Sequence, residues 1–74
     1  MNRELVIEVR ERLEEMFLSR LDADKTQEEF WTETLQAFES VEEEYQGTAA
    51  ENYALELSVF YIVELKRLAE VKAA

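Results

Sequence analysis

The chain has no cysteine, no histidine and no proline, and only one glycine among its 74 residues. Without cysteine or histidine there are no disulfides, no thiolate chemistry, no usual zinc ligands and no side chain that titrates near neutrality. The redox compartment is therefore unreadable. Without proline, and with Gly47 as the lone glycine, the chain has almost no backbone breakers and favours long helices. Long hydrophobic runs are missing too. No stretch approaches the ~18 apolar residues of a membrane span, and Met1-Asn2-Arg3-Glu4 meets an acid before any apolar run. The expectation is a soluble, cytoplasmic chain with no membrane partner. Glycine-rich phosphate loops, Ser-His or Cys-His pairs and basic patches are also lacking, so no catalytic residue and no cofactor or metal ligand is assigned, and an enzyme is not expected.

Positive charge is scarce in one place. Residues 22–51 carry ten acids against Lys25 alone, which accounts for nine of the ten surplus negative charges, whereas residues 1–21 and 52–74 are nearly balanced. Such a field concerns partners and solubility, not fold. It favours cationic partners and opposes direct contact with nucleic acid or anionic lipid.

Apolar residues make up 47% of the chain, enough for a folding sequence despite the charge. At this length one domain is expected over residues 1–74, hiding only ~60% of its extendable surface, and stability is marginal without help from a partner chain. Two capping boxes, Thr26 with Glu29 and Thr48 with Glu51, punctuate the sequence, the second directly after Gly47. They predict an all-α three-helix bundle with helices over about 3–21, 27–46 and 49–72.

The first helix places Leu5, Val9, Leu13 and Met16 or Phe17 on one stripe, edged by Val6 and Leu21. Ile7 and Leu18 lie off it, on a second line. The second helix turns Phe30, Thr34, Phe38, Val41 and Tyr45 inward, flanked by Trp31 and Leu35. The third has two greasy faces: Tyr53, Ala54, Leu57, Tyr61, Leu65 and Leu68 on one, Leu55, Val59, Ile62 and Ala69 on another, about 120° away at 100° per residue. A three-helix bundle uses only one broad stripe per helix. The spare stripe either widens the core or pairs with Ile7 and Leu18 in a homodimer or a partner groove.

The second helix is the candidate binding element. Glu42, Glu43 and Glu44 crowd its last turn, where the helix end is already negative and each carboxylate is disfavoured by ~0.3–1 kcal/mol. Glu29 with Glu33 and Glu39 with Glu43 are like-charged pairs four apart, each costing ~0.2–0.5 kcal/mol. A face selected only for solubility mixes signs, as the first helix does. Uncompensated local cost points to function. Carboxylates at 1.5 Å rise can imitate a duplex, which carries a charge every ~1.7 Å, and so fill the basic groove of a nucleic-acid-handling protein. Glu28, Glu33, Glu39, Glu42, Glu43 and Glu44 would supply charge, with Trp31 and Tyr45 as anchors at the rim. Arg10, Arg12, Lys66, Arg67 and Lys72 are read as intramolecular counterions to the acidic second helix, and Glu56 and Glu64 as edge residues that reach solvent or pair with Lys66 or Arg67.

Two motifs are weaker. Asp22-Ala23-Asp24-Lys25-Thr26 with Glu33 has calcium-loop spacing, but Gln27 stands where the sharp turn needs glycine. Glu56-Leu57-Ser58-Val59-Phe60-Tyr61, followed by Arg67-Leu68-Ala69-Glu70, resembles the third helix of the Hha/YmoA family, whose small helical members bind a nucleoid-structuring protein. The resemblance spans about a fifth of the chain. Leu65 and Lys66 replace that family's acidic residue before the Arg-Leu-Ala run, and the first two helices show no match, so its function is not carried over. The expected activity is non-enzymatic inhibition of a basic protein, in the manner of phage anti-defence and anti-CRISPR proteins, immunity proteins and antitoxins. The alternative is a small structural subunit that assembles through the third helix.

Overall fold

The computed structural model describes residues 2–73, with side chains through Val71. Three helices follow one another: α1 over Arg3–Ser19, α2 over Glu28–Glu44 and α3 over Glu51–Ala73. This is the all-α three-helix bundle that the periodicity predicts. Its extents are 41 × 18 × 16 Å, the long dimension set by α3, which at 1.5 Å per residue runs ~35 Å. Both other helices pack on α3.

The α1 start falls at the expected residue 3, and the other helix ends lie within two residues of expectation. Asn2 caps α1, its side-chain oxygen accepting from the Leu5 N–H at 3.2 Å, a signal the sequence reading missed. α1 stops at Ser19 instead of residue 21: the Arg20 and Leu21 N–H groups bond back only three residues, to Phe17 O at 3.1 Å and Leu18 O at 3.3 Å, and Arg20 Nη1 donates to Met16 O at 3.1 Å at that end. The Thr26 box does not form. Thr26 donates from both its N–H and its hydroxyl to Asp24 Oδ1, at 2.9 and 2.6 Å, so the nearer carboxylate wins the threonine and α2 starts after Gln27 without a side-chain cap. At α3 the Thr48 hydroxyl accepts from the Ala50 N–H at 3.2 Å and donates to Tyr45 O at 2.6 Å, which ties the end of α2 to the start of α3. Gly47 sits at φ +80 in that turn, the left-handed conformation expected of it.

The fully buried core comes from all three helices: Val9 and Leu13, Phe38, and Ala54 and Leu65, joined by Val41, Tyr45 and Ala50. Leu5, Met16, Phe17, Trp31, Tyr53, Leu57 and Tyr61 close around it. Phe17 and Tyr61 stack at 4.6 Å and fix α1 against α3, and burial, with Glu14 nearby, raises the Tyr61 pKa. Side-chain bridges join α1 to α2. Arg20 Nε donates to the buried Thr34 hydroxyl at 3.2 Å, and Arg12 reaches Glu44 and, at 3.2 Å, the Tyr45 hydroxyl.

A candidate protein-interaction surface

On α2 the inward side is taken by Thr34, Phe38 and Val41, with Tyr45 at the C-cap, so at 100° per residue the glutamates wrap the remaining arc. Every nominated acid is exposed except Glu42, which is half-buried. They do not form one continuous track. Glu28, Glu29 and Glu33 line a shallow depression with Thr32 at the start of α2. Glu39, Glu42 and Glu43 line a second recess, together with Gln46, Glu51 and Leu55. Glu28 and Glu43 stand fifteen residues apart, about 22 Å along the axis. Glu51 is an acid of this surface that the sequence reading left out. Its signal was present in the charge count but sat on the next helix.

Glu44 is the exception among the nominated residues. It turns toward α1 and pairs with Arg12, whose guanidinium also lies 5.6 Å from the Tyr45 ring centroid. The Tyr45 hydroxyl first, and Glu44 second, raise the Arg12 pKa further, so this cation stays charged. Arg12 therefore acts as the expected counterion. Arg67 pairs with Glu64 at 3.7 Å within its own helix, as expected for Glu64, and not with the acidic second helix as expected for Arg67. Among the described residues no ion pair reaches Glu28, Glu33, Glu39, Glu42 or Glu43. The Lys72 side chain lies outside the described residues.

Glu42 feels this crowding most. Partial burial, followed by the charges of Glu39 and Glu43, raises its carboxyl pKa, and the neighbouring Ser58 hydroxyl pulls it part of the way back. No hydrogen bond of normal geometry joins the two, and the buried Ser58 Oγ is left without a partner.

The aromatic anchors are corrected. Tyr45 is buried, at 5% exposure, so it holds the core and not the rim. Trp31 is half-buried, packs on the core and donates its indole N–H to Lys25 O at 3.0 Å. Its polar edge is thus committed inside the fold. Lys25, the lone base of the acidic segment, is 8% exposed and sits over the Phe30 ring at 6.0 Å. Asp24 beside it has a lowered pKa, chiefly from the Thr26 hydroxyl and then the Thr26 N–H. With Asp24 engaged there, the calcium-loop spacing is explained as a turn, and no group of three acids suited to a metal ion occurs among the described residues.

The residues nominated for self-association divide. Ile62 packs against the core and Ile7 is half-buried, whereas Leu18, Leu55 and Val59 are about half exposed. Ile62 is therefore removed from the spare stripe. The exposed line on α3 runs instead through Leu55, Val59 and Val63, with Phe60 beside it. Ser58, at 0% exposure, shares the inward side of α3 with Ala54 and Leu65, and Ile62 lies next to that line.

The fold and surface define an acidic three-helix bundle. No family model matches the chain, and neither a curated protein nor a solved structure matches it. The resemblance of α3 to the Hha/YmoA family gains nothing from these comparisons.

Proposed function

We propose that this bundle is a non-enzymatic inhibitor that binds a basic protein and fills the surface with which that target holds nucleic acid, as anti-CRISPR and other anti-defence proteins, immunity proteins and antitoxins do. The observation that carries the proposal is the set of α2 carboxylates that have no ion pair among the described residues: Glu39, Glu42 and Glu43, in one recess with Glu51 of α3, and Glu28 and Glu33, in another with Glu29. Like charges held together raise the cost of the free surface, and a cationic partner relieves it. Leu55 at the edge of the second recess supplies apolar area beside the charge, the composition of an interface core with a charged rim. Association should be fast and weaken with salt, because long-range attraction sets the encounter rate. Glu44 contributes less than its neighbours, since Arg12 already answers it.

The test is capture of partners from a cell lysate on the immobilised protein, with salt elution and mass spectrometry. Recovery of a basic protein that salt releases, and whose binding to nucleic acid the chain blocks in a purified competition assay, supports the inhibitor. A partner that binds nucleic acid equally well in the presence of saturating chain contradicts it.

A further inference from the structure

The outward side of α3 carries Leu55, Val59, Phe60 and Val63, each 45% to 55% exposed. Leu55, Val59 and Val63 recur every four residues and form one ridge of the helix surface. The same spacing continues to a charge at either end, Glu51 before Leu55 and Arg67 after Val63. Val59 is the midpoint, with Glu51 eight residues before it and Arg67 eight residues after, ~12 Å each way along the axis. At the Leu55 end, Glu39 and Glu43 of α2 deepen the negative field. At the other end Lys66 stands beside Arg67, whose side chain is 67% exposed and holds Glu64 only loosely, at 3.7 Å.

We propose that this ridge docks a second copy of the chain, antiparallel, about a two-fold axis through Val59. Leu55 then meets Val63 of the second copy, Val59 meets Val59, and Arg67 meets Glu51, each contact occurring twice as a two-fold interface requires. Charge decides the direction. A parallel arrangement stacks Glu51 on Glu51 and Arg67 on Arg67, whereas the antiparallel one pairs opposite signs at equal distance from the axis. The net charge of −10 on each copy opposes association at low ionic strength, and at physiological salt it is screened beyond about 8 Å while the apolar ridge is not. The dimer covers Leu55 and Glu51 at the edge of the second recess and so competes there with the cationic partner, but it is read out by self-association alone, and its failure leaves the cationic-partner proposal intact.

Sedimentation equilibrium of the whole chain at ~0.15 M salt, from micromolar to about 1 mM, tests it. The wild type is expected to dimerise. Val59→Glu should weaken the dimer by ~100-fold or more, since it buries two carboxylates at the axis, with the helical circular dichroism kept because Val59 is a surface residue. Val59→Ser acts in the same direction, more mildly. Arg67→Glu and Glu51→Arg should each weaken it by roughly 10-fold, and the double variant should return to within about 3-fold of wild type, because the pair is reversed and not lost. A wild type that stays monomeric throughout, a dimer indifferent to Val59→Glu, or a double charge reversal as weak as the single ones would each overturn the proposal.

Discussion

α1 and α2 are both 17 residues long and both lay an apolar stripe on α3, yet they meet water in different ways. α1 exposes Glu8, Glu11, Glu14 and Glu15 together with Arg3 and Arg10. α2 exposes glutamates with no base among them. The two stripes do the same packing work, Val9 and Leu13 on one and Phe38 and Val41 on the other, so a bundle of this kind folds with a mixed surface and does not need an acidic one. Glu28 and Glu29 suit the first turn of α2, whereas Glu42, Glu43 and Glu44 stand against the helix dipole in a last turn without a basic residue. The difference between the helices is therefore one of surface charge and not of packing.

If the packing roles are equal, truncating either stripe should be equally damaging. Phe38→Ala and Leu13→Ala, both at fully buried positions, are each expected to cost about 2–5 kcal/mol and to leave so small a domain largely unfolded, as urea titration would read. A tolerated change in one helix only would break the symmetry of the comparison. Next in size is the bridge between the helices. Arg12→Ala removes bonds to Glu44 and Tyr45 from a half-exposed site and should cost about 1 kcal/mol in thermal unfolding.

The surfaces themselves should respond with opposite sign. Replacing Glu39, Glu42 and Glu43 by glutamine is expected to stabilise the fold by about 0.5 kcal/mol or more, through relief of like-charge pairs and of the helix end. The matched change on α1, Glu8, Glu11 and Glu15 to glutamine, should give no such gain, because arginines lie among those acids. The smallest effect concerns pH. The raised Glu42 pKa means that the folded chain holds this proton more tightly than the unfolded one, so its protonation favours folding at acidic pH and that contribution is lost as pH rises through the folded value. Glu42→Gln should flatten this part of the stability profile. Asp24 acts in reverse, its lowered pKa giving stability that is present at neutral pH and lost on acidification.

Much of this architecture was legible because helical period and core burial coincide on α1 and α2. Val9, Leu13, Thr34, Phe38 and Val41 all lie where a 3.6-residue repeat puts them. α3 resisted the same treatment. Its apolar residues surround the helix, so period alone could not tell that Ser58 faces the core, that Ile62 packs there, or that Val63 stays outside. Helix starts failed where two side chains competed for one group, as Asp24 did for Thr26. At the candidate surface the sequence located the acids but not their grouping. The Arg12–Glu44 pair crosses 32 residues, and the recess that joins Glu39, Glu42 and Glu43 to Glu51 and Leu55 spans two helices, so both depend on tertiary placement. Trp31, read as a rim anchor, and Lys25, which entered only the charge count, are both held in the α1–α2 connection by backbone carbonyl contacts.

The central claim is that the α2 surface, and not acidity in general, binds a cationic protein. Its most direct test compares two charge reversals matched in number: Glu39, Glu42 and Glu43 to lysine on α2, and Glu8, Glu11 and Glu15 to lysine on α1. Affinity for the captured partner is measured across a salt series. The α2 reversal should abolish binding and its salt dependence while the α1 reversal leaves most of both in place. Equal losses from the two reversals, or no loss from the α2 change, would contradict the account.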